Sequence, residues 1–207
     1  MYPLFESVCI ENGIIGNAPY HELRFVASYT QYYGKMPPYS LLGGITIPTA
    51  FQTGMVKGRI SYGKQSKEAV FIKYQKNPPN TLKVVQDDTL DYSLKYSDRR
   101  QLDHLRGLHK GFDDVLIVKN GFVTDTSYAN IVFFDGCQWH TPSTYLLNGT
   151  CRRRLLVEKA IRETEIRPSD LQNYQGFQII NAMLGFDPFK YCPIQDIDMA
   201  TVTGESL

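Results

Sequence analysis

The sequence has no apolar run that approaches the roughly 20 residues of a membrane-spanning helix. It also has almost no net charge, because 22 lysines and arginines nearly balance 21 aspartates and glutamates. We therefore expect neither nucleic acid nor a membrane as a partner. The N-terminal stretch MYPLFESVCIENG lacks a basic start followed by an apolar core, so we expect no signal peptide and a cytoplasmic protein.

Several motifs of common catalytic and metal sites are missing as well. The four cysteines lack CxxC spacing, which favours free thiols in a reducing compartment over disulfides. The four histidines form no HExxH, and no zinc-ligand spacing joins them to the cysteines, so we predict no metal site. There is no GxGxxG after a strand, no P-loop and no GxSxG. These absences argue against dinucleotide binding, P-loop chemistry and serine-hydrolase chemistry.

The length of 207 residues suits one large domain or two small domains that share a cleft. The segment 77–80 is the best linker candidate, because its Pro-Pro pair breaks both helix and strand. We predict a small α/β domain over 1–76, a linker over 77–82 and a larger domain over 83–207. The predicted fold class is α+β or α/β, with an antiparallel-rich sheet in the larger domain.

Turn and capping signals predict the main helices and hairpins. A helix is predicted from Asn17 to Gly34, with a proline in its first turn and a glycine at its end. Ser97 is predicted to cap a second helix with a leucine face, formed by Leu102, Leu105 and Leu108. Asn120-Gly121 supplies the positive-φ turn of a hairpin.

Lys95, in the segment YSLKYSDRR, is the first candidate for chemistry. A lysine amine can form an imine with a carbonyl group when its surroundings favour the neutral form. Arg99 and Arg100 follow about one helical turn later and could have this effect through like-charge repulsion. The alternative is a surface lysine near a helix start, which is the usual role of a lysine.

Asp125, in VTDTSYANIVFF, and Gly149, in NGTCRRRLLVEKAIRE, are two further candidates. A carboxylate can keep a pyridine nitrogen protonated, which makes the ring an electron sink. The amides of Thr150 and Cys151, at a helix start, suit a phosphate. Each segment also has a structural alternative: Asp-Thr-Ser often forms an Asx turn, and the following arginines could pair with acids such as Glu158. Taken together, the amine, the acid and the helix start are what pyridoxal 5'-phosphate (PLP) requires of a protein.

In their order, these segments resemble the fold-type IV PLP enzymes, also called class IV aminotransferases. That family includes branched-chain aminotransferase, D-amino-acid aminotransferase and 4-amino-4-deoxychorismate lyase, and the similarity runs from about Glu6 to about Phe186. HELRF resembles its early His-x-x-Arg signature, and LKYSDR resembles the segment of its Schiff-base lysine. Three later blocks resemble, in order, the ring-nitrogen acid, the phosphate cup and the last cofactor strand: VTDTSYANIVFF, TPSTYLLNGTCRRRLL and IINAML.

The resemblance implies the two-domain fold of D-amino-acid aminotransferase, a PLP site with Lys95 as its catalytic residue, and a homodimer. The implied cofactor-binding residues are Arg24, Lys95, Asp125, Gly149, Thr150, Cys151, Asn181 and Ala182. A loop of the neighbouring subunit would complete each pocket, and the aromatic-rich stretch YTQYYGKMPPYS suits such an interface. The chain departs from the family in a short N-terminal domain and in Asp125, which replaces the usual glutamate.

Arg99 and the Asn181-Ala182 pair are more similar to the aminodeoxychorismate lyase branch of the family. The implied reaction converts 4-amino-4-deoxychorismate to 4-aminobenzoate and pyruvate, in folate biosynthesis, with Lys95 as general base. Arg59, in KGRISYG, or Arg99 would bind a substrate carboxylate, unless Arg59 lies on the solvent face of a strand. Two alternatives remain: an aminotransferase acting on branched-chain or other amino acids with a 2-oxo acid acceptor, and a cofactor-binding relative without activity.

Overall fold

The computed structural model describes residues 2–203. These residues form two compact units. Unit 1 holds the chain up to Lys76 together with Leu94–Asp98, and unit 2 holds Asn77–Ser93 and the chain from Arg99 onward. The segment Leu94–Asp98, which the sequence prediction placed in the larger domain, thus belongs to unit 1. Residue 1 and residues 204–207, the outer ends of the predicted domains, lie outside the described residues.

Unit 1 is an antiparallel sheet covered on one face by a helix. The strands are β1 (Leu4–Glu11), β2 (Ile14–Ile15), β3 (Met55–Tyr62) and β4 (Lys67–Lys73), in the order β2-β1-β3-β4. Helix α1 (Ala18–Tyr33) has a proline in its first turn and ends at Gly34, whose φ of 69° confirms the predicted glycine stop. Alternate strand residues and α1 form the core, including Leu4, Val8, Ile10, Phe25, Tyr29, Val56, Ile60 and Tyr62.

The segment around Lys95 joins unit 1 because it pairs with β1. The N–H of Phe5 donates to the carbonyl of Lys95 at 3.1 Å, and the N–H of Ser97 donates to the carbonyl of Pro3 at 2.7 Å. Leu4 and Tyr96 form an antiparallel bridge. These long-range hydrogen bonds fix the backbone of Lys95 beside the edge of the sheet.

Unit 2 contains two sheets. The first has the order β13-β5-β6-β7, from β5 (Leu82–Gln86), β6 (Asp114–Lys119), β7 (Phe122–Thr126) and β13 (Ile197–Thr203). The second has the order β10-β9-β8-β11-β12, from β8 (Asn130–Phe134), β9 (Trp139–Pro142), β10 (Arg162–Thr164), β11 (Gly176–Ile180) and β12 (Cys192–Pro193). Their facing side chains form one core, including Val84, Leu116, Val118, Ile131, Phe133, Phe177 and Ile179. Within residues 2–203, antiparallel pairs outnumber parallel ones, so the predicted α+β fold with an antiparallel-rich sheet is confirmed.

The turn between β6 and β7 is the predicted one, with φ of 51° at Asn120 and 79° at Gly121. Helix α2 (Arg100–Leu108) begins after Arg99, so the prediction that Ser97 caps this helix is wrong. The backbone of Ser97 is instead bound to the segment before β1. Of the three leucines predicted on one face of α2, Leu102 is buried, whereas Leu108 is 62% exposed.

Helix α3 (Thr150–Val157) begins at the predicted position and is shorter than its sequence pattern suggests. Lys159 has a φ of 57°, a left-handed conformation that ends the helix and turns the chain toward β10. β10 then runs parallel to β9, which shares its sheet with β8 and β11. Within residues 2–203, no helix has both the length and the apolar character needed to cross a bilayer.

Candidate active site

Asp125 is a buried carboxylate on β7, with a relative exposure of 4%. Its Oδ1 accepts a hydrogen bond from Nδ2 of Asn130 at 2.7 Å. Its Oδ2 accepts from the backbone N–H groups of Leu146 and Leu147 at 3.0 and 2.9 Å. Burial raises the pKa of Asp125 from 3.8 to about 6, although these donors favour the ionised form. A protonated nitrogen next to this carboxylate would compensate the cost of burying its charge.

Gly149 immediately precedes α3 and has an extended backbone, with φ of −66° and ψ of 141°. Any residue adopts this conformation, so the glycine is explained by its surroundings and not by its dihedral angles. A Cβ atom at this position would lie 1.8 Å from Oδ1 of Asn130. The buried residues Thr150 and Cys151 then form the first turn, where backbone amides suit an anion.

Two of the three arginines of α3 pair with acidic side chains, which was the structural alternative to a phosphate-binding role. Arg152 is fully buried, forms an ion pair with Glu163 and donates to the carbonyl of Pro142 at 3.0 Å. Arg154 pairs with Glu158 at 2.7 Å, as the sequence suggested for this acid. These arginines therefore help to hold α3 in place.

Asn181 and Ala182 follow β11, which pairs in the sheet with β8, the strand that begins at Asn130. Ile180 pairs with Asn130 in the register of β11 and β8, which sets Asn181 just beyond this pair. The side-chain Oδ1 of Asn181 accepts from the N–H groups of Met183 and Leu184, at 2.8 and 2.9 Å. Asn181 thus closes the turn that follows the strand, and its predicted role beside a phosphate remains a prediction.

Arg99, the alternative substrate ligand, makes several contacts within unit 2. Its Nη2 donates to the carbonyl of Ser127 at 2.8 Å, and its Nη1 donates to the hydroxyl of Tyr92 at 3.1 Å. Its Nε lies 3.7 Å from a carboxylate oxygen of Asp103. These contacts hold the turn after β7, which gives Arg99 a structural role in unit 2.

In unit 1, Lys95 and Arg59 both lie against the ring of Phe5. Cζ of Arg59 is 3.6 Å from the ring centroid, and Nζ of Lys95 is 4.9 Å from it. The two cationic groups are therefore no farther apart than the sum of these distances. Phe5 and Arg59 share the sheet face opposite α1, because strand residues alternate and Ile60 is part of the core with α1. Lys95 is half-buried, and a carboxylate bound here would be attracted by the guanidinium of Arg59.

Arg24 lies on α1 in unit 1 and forms a two-pronged ion pair with Glu6. Its Nε and Nη2 donate to the two carboxylate oxygens at 2.7 and 2.6 Å, and Nδ1 of His21 lies 2.7 Å from the same carboxylate. Burial alone would raise the pKa of Glu6, but Arg24 and His21 outweigh it and lower the pKa to about 2. Sequence reasoning missed Glu6, whose acidic side chain between apolar residues of β1 was the available signal.

A cavity of about 460 Å³ lies within unit 2. It is lined by Leu90, Asp91, Tyr92, Ser93, Lys119, Asn120, Phe122, Thr124, Thr144, Tyr145 and Leu146. Thr124 contributes to it, whereas the next residue on β7, Asp125, points away because strand side chains alternate. None of the predicted cofactor residues lines this cavity, although Leu146, which donates to Asp125, does.

The groups described here fit PLP in their chemistry. Asp125 is a buried acid of the kind that pairs with a ring nitrogen, the start of α3 after Gly149 has amides of the kind that bind a phosphate, and Lys95 has an amine that an aldehyde could take up. The sequence alone did not explain why position 149 is a glycine; in the structure, a Cβ atom there would collide with the side chain of Asn130. Such a set of groups is typical of PLP-dependent enzymes.

Comparison with known proteins gives the same result. The sequence profile of the amino-transferase class IV family matches residues 101–192. An uncharacterised protein of Haemophilus influenzae is 41% identical over 187 residues, which cover 89% of this chain and 100% of the relative. A crystal structure from Haemophilus somnus, provisionally assigned as a 4-amino-4-deoxychorismate lyase, is 38% identical with a TM-score of 0.85, over 90% of this chain and 98% of that one.

A hypothetical aminotransferase from Mycobacterium tuberculosis, in a PLP-bound form, shares the fold with a TM-score of 0.73 at 16% identity. The alignment covers 95% of this chain and 81% of that chain. The chain belongs to the class IV aminotransferase family, whose members depend on PLP. It is therefore a PLP-dependent enzyme.

Proposed function

We propose that this enzyme is a lyase that converts 4-amino-4-deoxychorismate to 4-aminobenzoate and pyruvate. The Haemophilus somnus protein, similar over 98% of its own length, supports this choice within the family. The observation that carries the proposal is the position of Lys95 and Arg59 on one ring, that of Phe5. The guanidinium of Arg59, which can bind a substrate carboxylate, therefore lies near the amine of Lys95, which acts as the base.

When bound, PLP supplies an aldehyde for the Lys95 amine and a protonated ring that accepts an electron pair. The side chain of Asp125 would hold the proton at the ring nitrogen. The amides of Thr150 and Cys151 would bind the phosphate, and the family resemblance gives the guanidinium of Arg24 the same ligand. With the substrate bound, the Lys95 amine would act as general base and remove the proton from the substrate carbon that bears the nitrogen.

The reaction is balanced without a second substrate. Loss of the proton leaves an electron pair that makes the ring aromatic as the bond from the ring to the enolpyruvyl oxygen breaks. The departing enolpyruvate takes up one proton, from Lys95 or from water, and becomes pyruvate. Arg59 binds a substrate carboxylate throughout, which holds the scissile bond in position.

The test is turnover of 4-amino-4-deoxychorismate by the purified enzyme without a 2-oxo acid. We expect equal amounts of 4-aminobenzoate, measured by fluorescence, and of pyruvate, measured by a coupled NADH assay. Lys95→Ala should abolish both products and the visible absorption band that borohydride bleaches in the wild-type enzyme. Lys110→Ala, which changes an exposed lysine of unit 2, is the matched control and should retain both.

An aminotransferase acting on branched-chain or other amino acids is the second candidate, favoured by the fold shared with the Mycobacterium tuberculosis protein. The site would act in the same way up to proton removal. Amino-group exchange that requires a 2-oxo acid, with no aromatic product, would establish this reaction and exclude the lyase.

We also propose that the enzyme is a cytoplasmic homodimer that serves folate biosynthesis and binds neither nucleic acid nor a membrane. Light scattering of the purified protein should give twice the mass of 23.6 kDa expected for one chain. A fully active monomer would contradict the dimer and leave the lyase reaction unaffected.

A further inference from the structure

Asn130, a residue without an assigned role so far, lies at the meeting point of three predicted cofactor segments. It is 4% exposed at the start of β8. Its Nδ2 donates to Oδ1 of Asp125 at 2.7 Å and to the carbonyl of Leu147 at 2.9 Å. Its backbone pairs with Ile180, the residue before Asn181. One side-chain amide thus connects β7, the loop before α3 and, through its backbone, β11.

The same amide occupies the space where a side chain at position 149 would lie. A Cβ atom on Gly149 would come within 1.8 Å of Oδ1 and 3.1 Å of Cγ of Asn130. Because both distances involve a side chain held by two hydrogen bonds, it cannot easily move away. Gly149 and Asn130 are therefore a matched pair, in which the absence of one side chain makes room for the other.

We propose that Asn130 is a positioning residue that fixes the separation between the Asp125 carboxylate and the start of α3. PLP carries its ring nitrogen and its phosphate on one small molecule with only a short linker between ring and phosphate, so the groups that bind these two ends must be held within a narrow range of distances. The side-chain bonds of Asn130 reach one partner on each side: Asp125 and the loop at Leu147. The inference depends on the PLP chemistry of the family and not on the choice of the lyase reaction.

The loop before α3 is tied to Asp125 by more than one contact. The N–H groups of Leu146 and Leu147 both donate to the carboxylate, while the carbonyl of Leu147 accepts from Asn130. A change at Asn130 would therefore alter the carboxylate and the helix start together. A residue that only filled space in the core would not couple the two ends of the cofactor.

The test is a double-mutant cycle with Gly149→Ala, Asn130→Ala and the double variant. PLP affinity is measured by titration of the visible absorption band, and stability by thermal unfolding of the cofactor-free proteins. Gly149→Ala alone should weaken PLP binding by about tenfold or more and lower the melting temperature, as expected when a supporting contact of a liganding group is lost. In the Asn130→Ala background, the same glycine change should have little further effect, because the clashing amide is gone.

Gly107→Ala is the matched control, since a Cβ atom at this helical glycine meets nothing within 4 Å. It should leave PLP affinity unchanged and preserve or slightly raise stability, because alanine favours a helix. Asn130→Asp keeps the shape of the side chain and removes its two donors. It should weaken PLP binding by about tenfold and shift the pH at which the bound-cofactor band changes, which loss of packing alone would not do.

Equal effects of Gly149→Ala in both backgrounds would overturn the inference, as would unchanged PLP affinity and pH dependence in both Asn130 variants. A wild-type enzyme that bound no PLP would overturn it together with the proposed function. An enzyme that binds PLP and shows the expected cycle, but releases no 4-aminobenzoate, would leave the inference in place and refute only the lyase reaction.

Discussion

In the cofactor-free enzyme, ionisation of Asp125 should lower the stability of the folded state, and Asp125→Asn should remove this pH dependence. The carboxylate is buried, and burial raises its pKa from 3.8 to about 6. Between these two pH values the unfolded chain has released the proton, whereas the folded chain still holds it. The unfolded state then binds fewer protons, so stability falls as the pH rises through this window and is constant above it.

The expected magnitude follows from the size of the shift. Each pKa unit corresponds to about 1.4 kcal/mol, so the shift in Asp125 corresponds to about 3 kcal/mol in total. Most of it, about 2 to 3 kcal/mol, falls between pH 4 and pH 7. For a chain of this length, that is a difference of about 5 to 10 °C in melting temperature. The hydrogen bonds that asparagine alters do not depend on pH, so they cancel when the pH profiles are compared.

The assay is urea or thermal unfolding of cofactor-free wild type and Asp125→Asn from pH 4 to pH 7.5. The difference in unfolding free energy should move in favour of the variant as the pH rises, by the amount given above. Asp103→Asn, at a side chain that is 68% exposed, is the control for removing one carboxylate from the chain. If the unfolding free energies of wild type and Asp125→Asn changed with pH in parallel, the reasoning would be refuted. Adding PLP should stabilise the wild type more than the variant at pH 7.5.

Three further changes test other parts of the structure. Glu6→Gln should cost about 3 to 5 kcal/mol of unfolding free energy at neutral pH, because it breaks a buried ion pair with Arg24. Since the pKa of Glu6 is lowered from 4.5 to about 2, the wild type should lose this advantage progressively as the pH falls from 4.5 through about 2. A loss already complete at about pH 5 would contradict the pairing. Arg59→Gln should raise KM by about ten- to a hundredfold with a smaller change in kcat, and the opposite pattern in steady-state kinetics would exclude a role in carboxylate binding. Phe133 lies in the core between the sheets of unit 2, so Phe133→Ala should lower the unfolding free energy in urea by about 3 to 5 kcal/mol. The control Phe189→Ala, at a side chain that is 93% exposed, should lower it little. Equal losses would argue against this core.

Much of the local structure could be predicted from the sequence because its causes are local. Gly34 ends α1, and Asn120-Gly121 forms its turn, since these residues accept positive φ at low cost. The start of α3 after Gly149 was also predictable from the change of residue pattern. The order of the five cofactor segments likewise indicated the family before any contact was known.

The predictions that failed concern residues whose environment is built by distant parts of the chain. Ser97 has the composition of a helix cap, but its N–H binds Pro3, some ninety residues away. The arginines of α3 were open to two interpretations until Glu163 and Glu158 supplied their partners. In each case the competing contact lies outside the segment that a local pattern can describe.

The sequence by itself determined the family, the ends of α1, the glycine turns and the set of chemical groups that PLP requires. Only the tertiary structure decided that Lys95 is bound to β1 beside Phe5 and Arg59, and that Asn130 joins Asp125 to the start of α3. The physical reason is that backbone preferences act over a few residues. Burial, hydrogen-bond partners and the space left by a missing side chain depend on strands that meet only in the folded chain.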